Sequence, residues 1–508
     1  MAGGGEGAGG GGGAWGPGEF ELAGALVGAG AVRQAAGSGP GGRRRRLRAL
    51  LSSRALPRTG WPPEEVEAFV RETALLDHTA FVGLAGMGER EGRVFAPAVA
   101  RRYFGLAHGM GRSGDVTAEQ PKACGSSLLA KLTNLLARDA LREAGLRGCG
   151  PTVVLPLATG MSLVLALQAL RRNRPPCARF VLWPRVDQKT GIKCVSAAGL
   201  ELVVVPNRVD GDRVCTDLAA VERAVDELGA DAVVGVLSTT ACFAPREPDD
   251  VVGLAALCQR LGVGHVVNNA YGVQEGRTCA AISRAWAGTS GPGRVDAVVQ
   301  STDKNFLVPV GGSVVVGPKG RPGVVEGVAR MYPGRASLGP SLDLLMTLLE
   351  MGAVGWRNLL NERRDNFEYL RRRLKEFAEG VGERVLHVPG NSISLAMTLS
   401  GVQAEPRRAT QLGSMLFRRN VTGCRAFCPT GKTVEVDGRT FINFGSHTDA
   451  YPHAYLNVAA AVGMQLEEVD LFIRRLRECW EELCREAVAA VAAIAESAAG
   501  PLQGGTEQ

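Results

Sequence analysis

The sequence predicts an α/β protein built on a mainly parallel sheet with helices on both faces, followed by a smaller C-terminal α/β domain. Three observations lead there. Between residues 152 and 267, short runs rich in Val and Leu alternate with stretches of helical period, the pattern of repeated βα units. Several of those runs are continuously apolar rather than alternating, as strands buried on both faces are. A chain of 508 residues, 45% of them hydrophobic, can also bury a core large enough for two domains.

In chain order, residues 1–42 are glycine-rich and poor in large apolar side chains, so no structure is expected there. They lack the basic start and apolar block of a secretory signal. Residues 43–80 read as a basic helical region: Arg43-Arg44-Arg45-Arg46-Leu47-Arg48-Ala49-Leu50-Leu51 can seat its leucines with the arginines outward, and a helix opens over 64–76 behind Pro62-Pro63. Residues 1–58 hold eight arginines against Glu6, Glu19 and Glu21, so they supply +5 of the net +7. Such an arm suits a polyanion, with a solvated face or localisation signal as the alternative.

The large domain is placed at 81–330, with helices over 126–146, 163–170, 191–198, 216–228 and 251–261 and strands over 152–157, 180–183, 201–205, 232–237, 265–267, 295–300 and 313–317. The small domain is placed at 331–490, with helices over 341–349, 362–378, 410–419 and 466–494 and strands over 393–399 and 441–445; residues 491–508 read as a flexible tail. No apolar run reaches the roughly 18 residues of a membrane helix, so no membrane span is expected. Twelve cysteines without a Cys-x-x-Cys pair read as reduced thiols of a cytosolic protein, and neither they nor the six scattered histidines form a metal site.

Six segments carry chemistry. Ser301-Thr302-Asp303-Lys304-Asn305-Phe306 lies between two apolar runs, which puts Lys304 on a turn at a strand end, where α/β sheets keep their ligands. A lysine held there beside small residues suits covalent attachment of pyridoxal phosphate, with a solvated hairpin lysine as the alternative. Ala158-Thr159-Gly160-Met161-Ser162 turns from a strand directly into a helix, whose amides and hydroxyls make a seat for a phosphate. The segments Gly88-Glu89-Arg90-Glu91-Gly92-Arg93, Gly111-Arg112-Ser113-Gly114-Asp115 and Gln120-Pro121-Lys122 combine approachable backbone with guanidinium forks, as a phosphate-binding loop does; a salt-bridged surface loop is the alternative. No Gly-Lys-Ser/Thr ending marks a nucleotide loop. Asn268-Asn269-Ala270 ends a strand where enzymes of the aspartate aminotransferase fold place Asp-x-Ala. An amide there bonds the pyridine nitrogen without balancing a pyridinium charge, which leaves a weaker electron sink and fits a β-leaving group better than transamination.

These motifs, together with Trp183-Pro184-Arg185, Asp187-Gln188-Lys189, Asn268-Asn269-Ala270-Tyr271-Gly272-Val273, Met331-Tyr332-Pro333-Gly334-Arg335 and Gln411-Leu412-Gly413-Ser414-Met415-Leu416-Phe417, resemble the O-phosphoseryl-tRNA(Sec) selenium transferase family over about residues 45–485. The resemblance implies a cytoplasmic homotetramer, a dimer of dimers, of fold type I (aspartate aminotransferase-like) pyridoxal 5′-phosphate transferases. It implies conversion of phosphoseryl-tRNA to selenocysteinyl-tRNA with selenophosphate as donor. By motif, Lys304 is the catalytic, cofactor-bearing lysine, and Ala158, Thr159, Gly160, Gln188, Lys189 and Asn268 surround the cofactor. Arg90 reaches its phosphate across a subunit interface. Arg112, Ser113, Gln120 and Arg335 bind the substrate phosphate, and Arg419 and Arg485 contact the tRNA. Gly291 stands where a further basic tRNA contact is expected, with Arg294 or the arginine-rich arm to replace it. The competing functions are a pyridoxal enzyme acting on a free amino acid and a non-catalytic tRNA scaffold.

Overall fold

Seven strands dominated by valine and leucine make the central sheet: β1 (Cys149–Leu155), β2 (Phe180–Pro184), β3 (Glu201–Val205), β4 (Val233–Thr239), β5 (Gly264–Asn268), β6 (Ala297–Ser301) and β7 (Ser313–Pro318). The computed structural model describes residues 17–38, 40–288, 291, 293–320, 323–402 and 406–498. The spatial order is β1-β7-β6-β5-β4-β2-β3; β7 runs antiparallel to both its neighbours and every other pair is parallel. Every residue of β4 to β7 is buried, as the continuous apolar runs require when helices cover both faces.

Local chemistry sets the helix ends. Asp217 and Asp250 each accept a backbone N–H three residues on, from Ala220 and Gly253 at 2.9 Å, and so cap Leu218–Leu228 and Val251–Leu261. Gly262 closes the second of these helices at φ +68°, a conformation that costs other residues a steric penalty.

The first 42 residues depart from the sequence expectation. Pro17–Val27 and Ala29–Ser38 are helices and a third spans Pro40–Ser53; the helix formers alanine and leucine in the first two, and arginine and leucine in the third, outweigh the interspersed glycines. Their apolar side chains Leu22, Leu26 and Val27 remain exposed. Residues 1–16 of that segment lie outside the described residues. At the other end the last helix, Leu466–Ala498, continues into the expected tail, of which residues 499–508 lie outside the described residues.

The helices expected at 341–349 and 362–378 are one, Gly339–Gly380, bent at Gly352 with φ +60° and ψ 175°. A Cβ at Gly352 would meet the Gly60 nitrogen at 2.5 Å, so only glycine permits this kink against the 59–60 backbone. The helix joins two cores. Leu342 to Trp356 pack with the large sheet, Trp356 donating its indole N–H to Ala140 O at 2.9 Å, whereas Phe367 onward packs on a second core. The second core therefore begins near Phe367 rather than at 331. Its sheet comprises β8 (Ser394–Thr398), β9 (Arg425–Phe427) and β10 (Tyr455–Ala459), ordered β8-β10-β9 and antiparallel; the sequence reading missed the latter two. The strand expected over 441–445 is Arg439–Ile442, in a hairpin with Thr433–Val436.

Buried polar ties join the two parts. Asp187 accepts from the Arg185 guanidinium at 2.8 Å and from the backbone N–H groups of Gly445 and His447 at 2.7 Å, while its own N–H donates to His447 Nδ1 at 2.8 Å. On β5, His265 shares a 2.7 Å hydrogen bond with Ser238 and another, through Nδ1, with Arg294 O at 3.0 Å. Burial pushes both imidazoles down to about 4, so both are neutral in the folded protein at pH 7. The unfolded chain takes up these protons near pH 6.5 and the folded chain only near pH 4. Stability is therefore complete above about pH 6.5 and declines as pH falls towards 4, by up to about 3 kcal/mol for each histidine. Urea unfolding midpoints at pH 7.5, 6.0 and 4.5 should fall in that order, and a midpoint independent of pH would contradict it.

Candidate active site

The carboxyl ends of β1, β2, β5 and β6 deliver their following residues to one cavity of about 780 Å³. Ala158, Thr159, Gly160, Gln188, Lys189, Asn268 and Lys304 all line it, so these seven sequence-predicted residues from four separate segments are brought together.

Lys304 sits on a single helical turn, Thr302–Phe306, at the end of β6, and its side chain is half exposed in the cavity. Its Nζ lies 3.5 Å from both Ser301 Oγ and Asp303 Oδ2. The turn is held from three sides. Asn305 Nδ2 donates to Ala270 O at 2.9 Å and Ser301 O at 2.7 Å, tying it to the turn after β5. Gln274 Nε2 donates to Lys304 O at 3.3 Å while its Oε1 accepts the Val462 N–H at 2.9 Å. Fully buried Phe306 packs on Trp356 with ring centroids 5.1 Å apart. Anchors on both sides of the lysine thus fix its backbone while its amine stays accessible.

Opposite it, Thr159 opens the Thr159–Arg171 helix, and its buried Oγ1 has no hydrogen-bond partner. A Cβ on the next residue, Gly160, would meet Thr190 Cγ2 at 2.8 Å, so the helix start can approach the Lys189–Ala197 helix closely only as glycine. An unpartnered hydroxyl at a helix N-terminus is what a phosphate monoester requires. Asn268 ends β5; its Oδ1 accepts the Ala270 N–H at 3.2 Å, which leaves its NH₂ as the donor it can offer a ring nitrogen. Phosphate seat, ring partner and amine are the three requirements of pyridoxal phosphate, and these residues fit it.

The predicted phosphate-binding residues gather elsewhere in the chain. None of Arg90, Arg112, Ser113, Gln120 and Arg335 lines this cavity. Met110 pairs with Ala336, which brings the 110–115 loop beside Arg335. Arg335 Nη2 pairs with Glu91 at 2.9 Å, and Lys122 bridges Glu91 at 2.7 Å and Glu89 at 3.2 Å. The Lys122 hydrogen bond, helped by the charges of Arg335 and Arg90, holds the Glu91 carboxyl below its usual range. Arg335 Nη1 is buried without a partner, while Arg90, Arg112 and Ser113 are exposed. The loop arginines and Arg335 thus form one cationic unit with spare donors.

Of the expected tRNA contacts, Arg419 pairs with Glu482 on the last helix, three residues before exposed Arg485. Arg294 is engaged by Asp296 at 3.0 Å and by Gly262 O at 3.1 Å, which disfavours it as a substitute for the contact missing at Gly291. Sequence reading missed Phe243, Lys193 and Arg425 as cavity residues. No motif marks them, since Phe243 and Arg425 meet only through tertiary packing.

The sheet order, the antiparallel β7 and this cavity together define a fold type I pyridoxal 5′-phosphate enzyme. A sequence model of the O-phosphoseryl-tRNA(Sec) selenium transferase family matches residues 76–481. The chain belongs to that family. It is 42% identical over 453 residues to the O-phosphoseryl-tRNA(Sec) selenium transferase of Dictyostelium discoideum, covering 86% of this chain and 93% of that one. A crystal structure of an archaeal O-phosphoseryl-tRNA(Sec) selenium transferase superposes with TM-score 0.78 at 28% identity, covering 91% of this chain and 98% of the other. The Oryza sativa TDC crystallised with PLP shares the fold alone, at TM-score 0.50 and 15% identity over 71% of this chain and 75% of its own.

Proposed function

We propose that the protein converts O-phosphoseryl-tRNA(Sec) to selenocysteinyl-tRNA(Sec), with selenophosphate as the selenium donor. The observation that carries this reading is the meeting of Lys304, Thr159 and Asn268 in one cavity of a chain matched by the family over 76–481. Pyridoxal phosphate held here would supply an aldehyde reactive towards the aminoacyl amine and a conjugated ring able to accept electrons from the α-carbon. Thr159 Oγ1 and the helix start behind it would hold the cofactor phosphate. Lys304 Nζ removes the α-proton, and Asp303 and Ser301, each 3.5 Å away, orient it. Arg112, Ser113, Gln120 and Arg335 hold the substrate phosphate as it leaves the β-carbon; the selenium of selenophosphate bonds to that carbon, and water cleaves its phosphorus–selenium bond to release a second phosphate.

Assembly completes the site. Arg90 lies between Met87, 92% exposed, and Phe95, 103% exposed, with fully exposed Val82 nearby; Val310, 82% exposed, stands at the cavity itself. Apolar side chains so uncovered belong to an interface. A second copy seated there brings its Arg90 and substrate-phosphate residues to this chain's Lys304, and two such dimers form the tetramer. Arg419, Arg485 and the arginines of the Pro40–Ser53 helix serve the tRNA. The cytoplasm, a reducing compartment, suits twelve cysteines that are all free thiols. No helix among the described residues is long and apolar enough to cross a membrane.

The deciding experiment compares phosphate release from phosphoseryl-tRNA(Sec) and from free O-phosphoserine by the holoenzyme. The tRNA-borne substrate should react at least about a hundredfold faster in kcat/KM, since remote binding energy is used at the reacting centre. Equal rates would transfer the assignment to a free-amino-acid enzyme, and a colourless protein that borohydride does not label would make it a scaffold.

A further inference from the structure

The geometry points to Phe243, Tyr271 and Arg425 as the seat of the substrate's 3′-terminal adenosine, an inference that rests on the function proposed above. In an aminoacyl-tRNA the α-carboxyl is esterified to the ribose of the last nucleotide. Whatever reaches Lys304 therefore carries with it a ribose, a planar base and an anionic phosphodiester. A cavity of about 780 Å³ is large for the cofactor alone, and one of its walls matches those three groups.

That wall is aromatic and cationic. The Phe243 and Tyr271 rings lie 6.1 Å apart between centroids at 45°, and the Arg425 guanidinium carbon stands 5.0 Å from the Phe243 centroid. Splayed-out bases are held by stacking on aromatic rings and on guanidinium planes, and a guanidinium also pairs with phosphate. Arg425 has no carboxylate partner among the described residues, unlike Arg419, paired with Glu482, and Arg294, paired with Asp296. A solvent-exposed arginine at the mouth of a catalytic cavity keeps its donors free for an anion that arrives with the substrate.

The route to that wall is also built. Phe243 separates the catalytic cavity from a second of about 300 Å³, lined by Asn420, Thr422, Cys424, Phe472 and Arg475. The 420–424 turn, with Asn420 at φ +55° and Gly423 at φ +85°, carries the chain from Arg419 to Arg425. A single-stranded 3′ end that leaves the acceptor stem at Arg419 can follow this turn and set its last base against Phe243. Arg425 and Phe243 thereby become specificity residues for an RNA ester over a free amino acid.

The test uses Phe243→Leu and Arg425→Gln holoenzymes, with Arg425→Lys as a second variant that keeps the charge and loses the plane. Visible absorbance of bound cofactor reports that each is folded. Each variant should lose about tenfold to a hundredfold in kcat/KM for phosphoseryl-tRNA(Sec), mainly through KM. Adenosine 5′-monophosphate should inhibit the parent competitively, with an inhibition constant raised about tenfold or more in Phe243→Leu. Adenosine, which lacks the phosphate, separates the two parts of the site: its weaker inhibition should depend on Phe243 more than on Arg425. Unchanged KM and unchanged inhibition by the nucleotide in all three variants, with an active parent, would overturn the inference and leave the function intact. A parent enzyme that releases no phosphate from phosphoseryl-tRNA(Sec) would overturn both.

Discussion

Replacing Lys304 by alanine lowers phosphate release from phosphoseryl-tRNA(Sec) by at least about a thousandfold, because the step at the α-carbon loses its base and the cofactor loses its covalent tether. The fold should survive. The anchors of the 302–306 turn are Asn305, Phe306 and the Lys304 carbonyl, and none of them is the lost amine. Urea unfolding of the variant should therefore match that of the parent within about 1 kcal/mol, since an exposed side chain is removed. Two other amines, Lys189 and Lys193, line the same cavity, so attachment must be located and not inferred from colour. Borohydride reduction of the parent should fix the cofactor on the peptide containing Lys304, and the variant should yield no such peptide. A variant that keeps a tenth of parental activity, or a parental label on Lys189 or Lys193, would remove Lys304 from its role.

Much of this site was legible in the sequence, and the reason is local. Asn268 ends a buried strand, and Lys304 and the Ala158-Thr159-Gly160 turn come within a few residues of one, so finding the strand end finds the residue, and the sheet order assembles the rest. Strands β4 to β7 were equally legible because burial on both faces makes them largely apolar throughout, and β3 and the Val251–Leu261 helix also fall on their expected limits. The second core was less so. β9 has three residues with none fully buried, and β10 is enclosed without an alternating pattern, so neither announces itself. The helix Gly339–Gly380 reads as two, over 341–349 and 362–378, because no local signal shows that the backbone at Thr59 and Gly60 fills the kink at Gly352 and lets the helix resume. Phe243 and Arg425 belong to the kind of residue that only folding assembles, lying 182 positions apart in chain segments with unremarkable neighbours.

Arg335→Ala should cost about 2 to 4 kcal/mol of transition-state stabilisation, a loss of roughly a hundredfold to a thousandfold in phosphate release with the cofactor still bound. The guanidinium is half committed: Nη2 holds Glu91, while buried Nη1 has no partner. Removing it subtracts a donor for the departing phosphate and releases a carboxylate beside Arg90 and Lys122, so Arg335→Lys, which keeps the charge without the fork, should recover only part of the loss. Arg335 and Lys304 lie in different clusters of one chain, so assembly decides whether they act together. If each site takes its lysine from one copy and its phosphate arginines from another, mixing Lys304→Ala with Arg335→Ala protomers under conditions that exchange subunits creates sites with both residues intact. Activity should then rise from near zero to as much as about a quarter of parental, the share of intact sites after random exchange in dimers. A mixture that stays as inactive as its components, after subunit exchange has been demonstrated, would place both residues of each working site in the same chain and exclude the shared site.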